Sequence, residues 1–397
     1  MKLYKNLVNS IAETLSDIFL KNKYADKSLE KLFKQNPQWG SRDRRFVAEA
    51  VYDIVRNYRL YAELAQSPKN FWFITAVWLI IKKIELPNWQ EFQHVDPDFI
   101  LKQKERFKAQ LPVYESYPDW LWRLGESELG RESWEKEAIA MNQQAEVVLR
   151  VNTLKTTPEK LKEAFLTEKI ETLEIKSVPN AFRLVKRENV FKNRHFGEGW
   201  FEVQDAGSQE IGEFVNPKPN ELVIDACAGA GGKSLQLAAL MQNKGKIISM
   251  DVEEWKLEEL KKRAKRAGAF NIETRLIEDN KTIKRLEGKA DKILLDVPCS
   301  GLGVIKRNPD AKWKLNFETI ERTKELQQKI LSDYSTMLKP GGSLVYSTCS
   351  ILPSENKNQV EKFLELNPNF IFVSDKTILP SQGYDGFYMC ELKKLNK

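Results

Sequence analysis

The spacing of hydrophobic positions changes twice along the chain. Over residues 1–140 they recur at helical intervals. Residues 44–64 (RRFVAEAVYDIVRNYRLYAEL) put Phe46, Ala50, Val51, Ile54 and Tyr58 on one face, with Ser41 ahead as the expected N-cap. The opening stretch MKLYKNLVNSIAETLSDIF has no long apolar core and no small-residue cleavage site, so it reads as an amphipathic helix and not a signal peptide. The most apolar run, Phe71–Ile81, is closed by Lys82 and Lys83 and is about half the ~20 residues a bilayer demands. It is expected to be a buried helix. Residues 1–140 are therefore expected to form an all-helical domain.

From residue 147 the period shortens. VVLRVN (147–152) is β-rich and alternating, 158–166 reads as a helix capped by Thr156 or Thr157, and 182–185 and 199–203 read as short strands. This predicts a small α+β module over 141–205. It carries Arg150, Lys155, Arg183, Lys186, Arg187, Lys192 and Arg194, which make either a solvated basic face or a phosphate-contacting one. Beyond 206, strands at 222–225, 246–251, 272–276, 292–296 and 343–347 alternate with helices at 232–240, 253–267, 317–337 and 355–366. Such alternation predicts an α/β domain over 206–397, with a doubly wound, mostly parallel sheet whose site lies at the carboxyl ends of its strands.

Composition sharpens this division. Of 19 glycines only Gly40, Gly125 and Gly130 fall before residue 141, and seven of the ten Trp do. A length of 397 residues suggests two or three domains at roughly 150 each. The net charge of +7 permits a polyanionic partner without requiring one. Two His in the whole chain argue against a Ser-His-Asp triad or a His-built metal site. The four Cys (Cys227, Cys299, Cys349, Cys390) lie far apart with no CxxC, so no metal site and no disulfide framework is expected. Unpaired thiols and the lack of a targeting segment make the cytoplasm the expected location.

The strand ELVID runs into Asp225-Ala-Cys-Ala-Gly-Ala-Gly-Gly-Lys-Ser and then a helix, a join that brings backbone N–H groups to a nucleotide-like ligand. A P-loop would need Gly where Cys227 stands, and a dinucleotide fingerprint beginning at Gly229 would need Gly where Ser234 stands. What remains is a nucleoside-binding turn. Asp251, 20 residues after Gly231, can accept both ribose hydroxyls, and Asp279, after the third strand, is placed to receive an adenine amine. Acidic strand ends around such a loop suit S-adenosylmethionine, which has a ribose and an adenine but no phosphates.

Cys299 and Cys349 sit where the fourth and fifth strands end, in VPCSG and STCS. Taken singly, each is an ordinary small apolar residue. Two in adjacent strand-end loops beside a methyl donor suit one chemistry. Carbon 5 of a pyrimidine is a poor nucleophile until a thiolate adds to carbon 6 and makes the ring an enamine. The carbon-5 proton must then be removed so that the thiolate can leave. Asp296 can hydrogen-bond ring N3 and the exocyclic amine, favouring cytosine over uracil. Lys233 can add positive charge that lowers a thiol pKa.

Three segments, DACAGAGGKS, LLDVPCSGLGVIKRNPDAKWK and YSTCSILPSEN, resemble the RsmB/Nop2/Sun family of RNA cytosine-5 methyltransferases. The resemblance spans about residues 145–397. It implies a Rossmann-like class I methyltransferase domain with Cys349 as nucleophile and Cys299 as the residue aiding product release. It carries cofactor contacts to Cys227, Ala228, Gly229, Ala230, Gly231, Gly232, Lys233, Asp251, Asp279 and Asp296, and implies that Lys233 and Asp296 line the base pocket. The loop departs from the usual family pattern, which has a Pro and ends GGKT. Cys227 and Cys390 match no catalytic position. More loosely, residues 1–140 resemble the family's NusB-like RNA-binding domain, and 141–205 its small RRM-like module.

The expected function is thus methylation of cytosine carbon 5 in RNA, with 16S ribosomal RNA first among substrates. The alternatives are an RNA-binding ribosome-assembly factor that has lost its chemistry, an enzyme acting on transfer RNA, and one acting on DNA or an exocyclic amine. No membrane association is expected, and no apolar repeat suggests a partner subunit, so a monomer is expected.

Overall fold

In the computed structural model, residues 3–396 are described, and they divide into two compact units. The first runs to Gln143 and takes in Ile305–Phe317; the second comprises Gln144–Val304 and everything from Glu318 onward.

The first unit is helical. The expected N-terminal helix spans Lys5–Leu20, although the first two residues of that stretch lie outside the described ones. Its Val8, Ile11 and Leu15 share a core with Val47, Val51 and Ile54 of helix Ser41–Arg56 and with Ile74 and Trp78 of the apolar helix Phe71–Ile81. Two local expectations are corrected. Residues 44–64 are not one helix: it stops at Arg56, and Tyr58–Leu64 forms another. Asn57 leaves the helical region, and its amide side chain donates to the Asp53 carbonyl at 3.0 Å, a local bond that competes with helix continuation. Ser41 is not the cap either. The cap is Gly40, and Ser41 is the first helical residue.

Residues 305–317, from the stretch expected to belong wholly to the α/β domain, pack among these helices. Asp310 Oδ2 accepts the Ala25 N–H at 3.0 Å, at the start of helix Ala25–Gln35. Trp313 donates its indole N–H to the Val55 carbonyl at 2.7 Å and lies edge-on to Tyr58. Lys312 is fully buried, donating to the carbonyls of Arg56 and Glu115 and to Asn142 Oδ1, with its ammonium 4.4 Å from the centre of the Tyr117 ring. Burial, reinforced by the Arg56 charge, pushes that ammonium well below the ordinary lysine value.

The second unit holds two sheets. In the smaller, β1 (Val148–Val151), β2 (Thr172–Glu174), β3 (Ala181–Leu184) and β4 (Phe201–Val203) lie in the antiparallel order β2-β3-β1-β4. Helix Pro158–Thr167 covers it, with Thr157 as its cap, and Leu149, Leu161, Phe165, Phe182 and Phe201 fill the space between. Arg150 belongs to neither kind of basic surface. It is buried on β1, and that burial lowers its guanidinium to about 10.

The larger sheet contains β5 (Leu222–Asp225), β6 (Lys246–Asp251), β7 (Ile272–Leu276), β8 (Ala290–Asp296), β9 (Leu338–Thr348), β10 (Phe370–Ile378) and β11 (Phe387–Lys394). Their order is β10-β11-β9-β8-β5-β6-β7. The five strands from β5 to β9 pair in parallel, as expected, and β10 and β11 close one edge as an antiparallel hairpin. The hairpin escaped the sequence reading because Ile371, Phe372 and Val373 are exposed on the edge strand, which blurs its alternation. Strand order reverses between β5 and β8, so a crevice opens at their carboxyl ends. No helix among the described residues is long and apolar enough to cross a membrane.

Truncating Trp313 removes a large ring and a hydrogen bond from the helical unit. Trp313→Ala is expected to cost about 3–5 kcal/mol in urea denaturation followed by circular dichroism. An unchanged midpoint would show that the segment is not integral to that unit.

Candidate functional site

The crevice at the strand ends gathers the residues singled out from the sequence. The chain leaves β5 at Asp225 and turns through Ala226–Gly231 into helix Gly232–Leu240. Gly231 makes the turn possible. Its φ is +85°, and a Cβ there would lie 2.4 Å from Leu260 Cγ. Gly229 and Gly232 differ: a Cβ on either would meet nothing within 4 Å, so the loop backbone borders open space that a ligand can enter. Asp251, at the end of β6, fastens the loop by accepting the Gly229 N–H at 2.8 Å on Oδ2 and the Glu253 N–H at 3.0 Å on Oδ1. A carboxylate has about four acceptor positions, so ribose hydroxyls can still bind it. Asp279 follows β7 and caps helix Asn280–Lys284 through Oδ1, which accepts the N–H groups of Lys281 and Thr282.

Asp225 lies beneath the loop rather than in the crevice. It is buried and accepts the Ser234 hydroxyl at 2.6 Å, and that hydroxyl in turn accepts from Ser249 at 2.8 Å. Burial, the largest influence, pushes its carboxyl up to about 7 against the Ser234 hydrogen bond; the charges of Asp296 and Asp251 push the same way and Lys233 opposes. Cys227 packs against the sheet core, and burial raises its thiol well above the usual value. It is a neutral packing group. Cys390, on β11, is likewise buried in the core.

Opposite the loop, β8 and β9 deliver the two cysteines. The strands pair in parallel with Asp296 beside Ser347, so the loops that follow run side by side. The Cys299 and Cys349 sulfurs come within 3.3 Å of each other. Lys233 reaches across from the glycine loop to Asp296 Oδ2 at 2.5 Å, while Asp296 Oδ1 accepts the Ser347 hydroxyl at 3.0 Å. Burial disfavours the lysine charge, but the Asp296 carboxylate outweighs it by charge and hydrogen bond, with smaller help from Cys349 and Asp225, and holds the ammonium above its ordinary value. The hydrogen bond to Cys349, burial, and the charges of Cys349 and Glu355 all push the Cys299 thiol well up. Cys299 is therefore held toward its protonated form.

The structure thus brings Lys233, Asp296, Cys299 and Cys349 into one cluster and places Asp251 against the neighbouring loop. The sequence reading missed Glu355, Gln327 and Asn356, which are buried behind the cysteine loops. The one available signal was the position of Glu355 and Asn356 at the end of the TCSILPSEN segment.

A mostly parallel sheet with this strand order, an open glycine loop and an acidic strand end defines a Rossmann-like, S-adenosylmethionine-dependent methyltransferase. The comparisons narrow the class. The family described as 16S rRNA methyltransferase RsmB/F matches residues 213–393, and the ferredoxin-like domain of RsmF/B-like methyltransferases matches 117–191. The chain is 31% identical over 440 residues to the probable ribosomal RNA small subunit methyltransferase B of Synechocystis sp., covering 96% of this chain and 97% of that protein. It belongs to the RsmB/F methyltransferase family. The crystal structure of PH0851 superposes with a TM-score of 0.83 at 25% identity, covering 99% of this chain and 100% of that one. NSun6 from Pyrococcus horikoshii, solved with SFG, shares the fold at a TM-score of 0.64 and 22% identity, over 70% of this chain and 99% of that one.

The buried Asp225 makes a prediction about stability. Its pKa is raised on folding, from 3.8 to about 7, so the folded state holds a proton that the unfolded state releases. Its contribution is complete below pH ~4 and is lost as the pH rises toward ~7, by at most about 1.4 kcal/mol per pH unit. Asp225→Asn is expected to flatten the dependence of urea-unfolding free energy on pH across that window. Equal slopes in the two proteins would contradict it.

Proposed function

We propose that this protein methylates carbon 5 of cytosine in RNA, with the 16S ribosomal RNA of the small subunit as substrate, through a covalent adduct. The observation that carries the reading is the 3.3 Å approach of two thiols at the ends of adjacent strands, beside a lysine–aspartate pair. Methylation of an exocyclic amine has no use for the second thiol.

In this reading Cys349 attacks carbon 6 as the thiolate, with the Lys233 ammonium nearby to favour the charge. The Asp296 carboxylate accepts from the exocyclic amine and from N3 once that nitrogen takes up a proton from solvent as the adduct forms, which selects cytosine. Bound S-adenosylmethionine supplies the methyl group that carbon 5 accepts. Glycines 229, 231 and 232, with Cys227, Ala228, Ala230 and Lys233, form the wall it would rest on, and Asp251 and Asp279 would take its ribose and adenine. Cys299 then removes the carbon-5 proton, and the bond between Cys349 and carbon 6 breaks. The change in bonding at Cys349 lets Cys299 serve late and not early. The largest influence holding Cys299 protonated is Cys349 itself. Once the Cys349 sulfur is bonded to carbon it carries no charge and accepts weakly, so Cys299 can lose its proton to surrounding water and act as a base. Residues 1–140 and 141–205 serve in this reading to hold RNA, and the enzyme works as a monomer in the cytoplasm.

Cys349→Ala is expected to abolish transfer of labelled methyl groups to small-subunit RNA and to abolish RNA–protein adducts on denaturing gels. Cys299→Ala is expected to accumulate such adducts while turnover falls at least 100-fold. Full activity in Cys349→Ala would overturn the mechanism.

A further inference from the structure

Each of the two cysteines is followed by a serine, and the two serines share one carboxylate. Glu355 is fully buried, just beyond the loop of Cys349. Its Oε2 accepts the Ser300 hydroxyl at 2.5 Å and the Ser350 hydroxyl at 2.5 Å. Its Oε1 accepts the Ser300 backbone N–H at 2.7 Å and the Gln327 amide at 3.3 Å. Four donors on one carboxylate fill its acceptor positions. A buried carboxyl group bound by four donors is fixed in position by them.

The neighbouring contacts extend the same frame. Gln327 also donates to the Pro298 carbonyl at 2.9 Å, so Cys299 is fixed on both sides. On the other loop, Thr348 donates its hydroxyl to Asn356 Oδ1 at 2.5 Å, and the Asn356 amide donates to the Ser350 carbonyl at 3.0 Å, so Cys349 is flanked in the same way. Gly303 adds a backbone tie, its N–H donating to the Cys349 carbonyl at 2.9 Å. A Cβ at Gly303 would lie 2.1 Å from the Gly386 carbonyl oxygen, so only glycine allows that approach.

We infer that Glu355 is a positioning residue that braces the two cysteine loops against each other and thereby sets the distance between the thiols. It touches neither thiol through a hydrogen bond and acts through Ser300 and Ser350. The kinetic part of this inference rests on the function proposed above; the geometric part does not. In Glu355→Gln one acceptor oxygen becomes an NH2 group, which must face donors. That breaks the brace without removing bulk. Ser350→Ala removes a single leg and is the milder variant.

Two measurements test it. The first needs no RNA: the intact protein is treated with diamide, an azo oxidant that takes two electrons and two protons from a thiol pair and becomes a hydrazine. Cys299–Cys349 disulfide formation is followed by mass spectrometry of peptides. Wild type is expected to cross-link rapidly, Ser350→Ala several-fold more slowly and Glu355→Gln at least 10-fold more slowly. The second is methyl transfer, where kcat is expected to fall at least 10-fold in Glu355→Gln while S-adenosylmethionine affinity stays within 2-fold. If Glu355→Gln does not fold, Ser350→Ala carries both tests. Folded variants that cross-link and turn over at the wild-type rate would overturn the brace. A wild type that cross-links in a Glu355-dependent manner yet methylates no RNA would leave the brace standing and refute the proposed function instead.

Discussion

The site depends on the parallel pairing of β8 with β9. Parallel neighbours end on the same side of a sheet, so both strand-end loops enter the same crevice. The register that sets Asp296 beside Ser347 then puts Cys299 and Cys349 three residues and two residues beyond that pair, and their sulfurs meet at 3.3 Å. A slip of one residue would turn the side chains of one strand to the opposite face and part the aspartate from its serine. The core residues of those strands, Ile293, Leu295, Leu344 and Tyr346, are fully buried and hold the register. The catalytic geometry is in this sense a by-product of core packing.

The carboxylates around this crevice are accommodated in three different ways. Asp225 is accommodated by taking up a proton. Asp296 is matched by Lys233, and Glu355 by four neutral donors. These solutions follow from where each carboxylate sits. Asp225 lies under the loop, with Ser234 as its close donor. Asp296 lies at the strand end, where a lysine can reach it. Glu355 sits behind two loops rich in hydroxyl and amide groups. Among the thiols, the hydrogen bond with Cys349 and burial push Cys299 upward and favour its protonated form.

Much of this was legible in the sequence. Most of the parallel strands announced themselves through short apolar runs ending in Asp or leading into Cys-containing turns, while β7, IETRL, was legible from its place in the strand–helix alternation. The glycine loop could be told from a phosphate loop by counting to Cys227 and Ser234. Less legible features have physical reasons. The β10 strand lies on a sheet edge with exposed apolar residues, so its pattern is not that of a half-buried strand. The helix break at Asn57 arises from one side-chain bond. The burial of Lys312 could not be read from the sequence, because it depends on carbonyls supplied by Arg56 and Glu115, more than 190 positions away. Arg150 looked like part of a basic face because alternation alone does not say which side of β1 is covered. Glu355 was legible only by its place at the end of TCSILPSEN, because its partners Ser300 and Gln327 are brought to it by the fold.

The two thiols are proposed to have separate roles, with Cys349 forming the bond to the base. The most direct measurement uses small-subunit RNA in which cytosine carries fluorine at carbon 5. After methyl transfer there is no proton to remove, so the adduct persists on whichever sulfur attacked. Digestion and mass spectrometry should find the nucleotide attached to the peptide containing Cys349. Finding it on the peptide containing Cys299 would contradict the account.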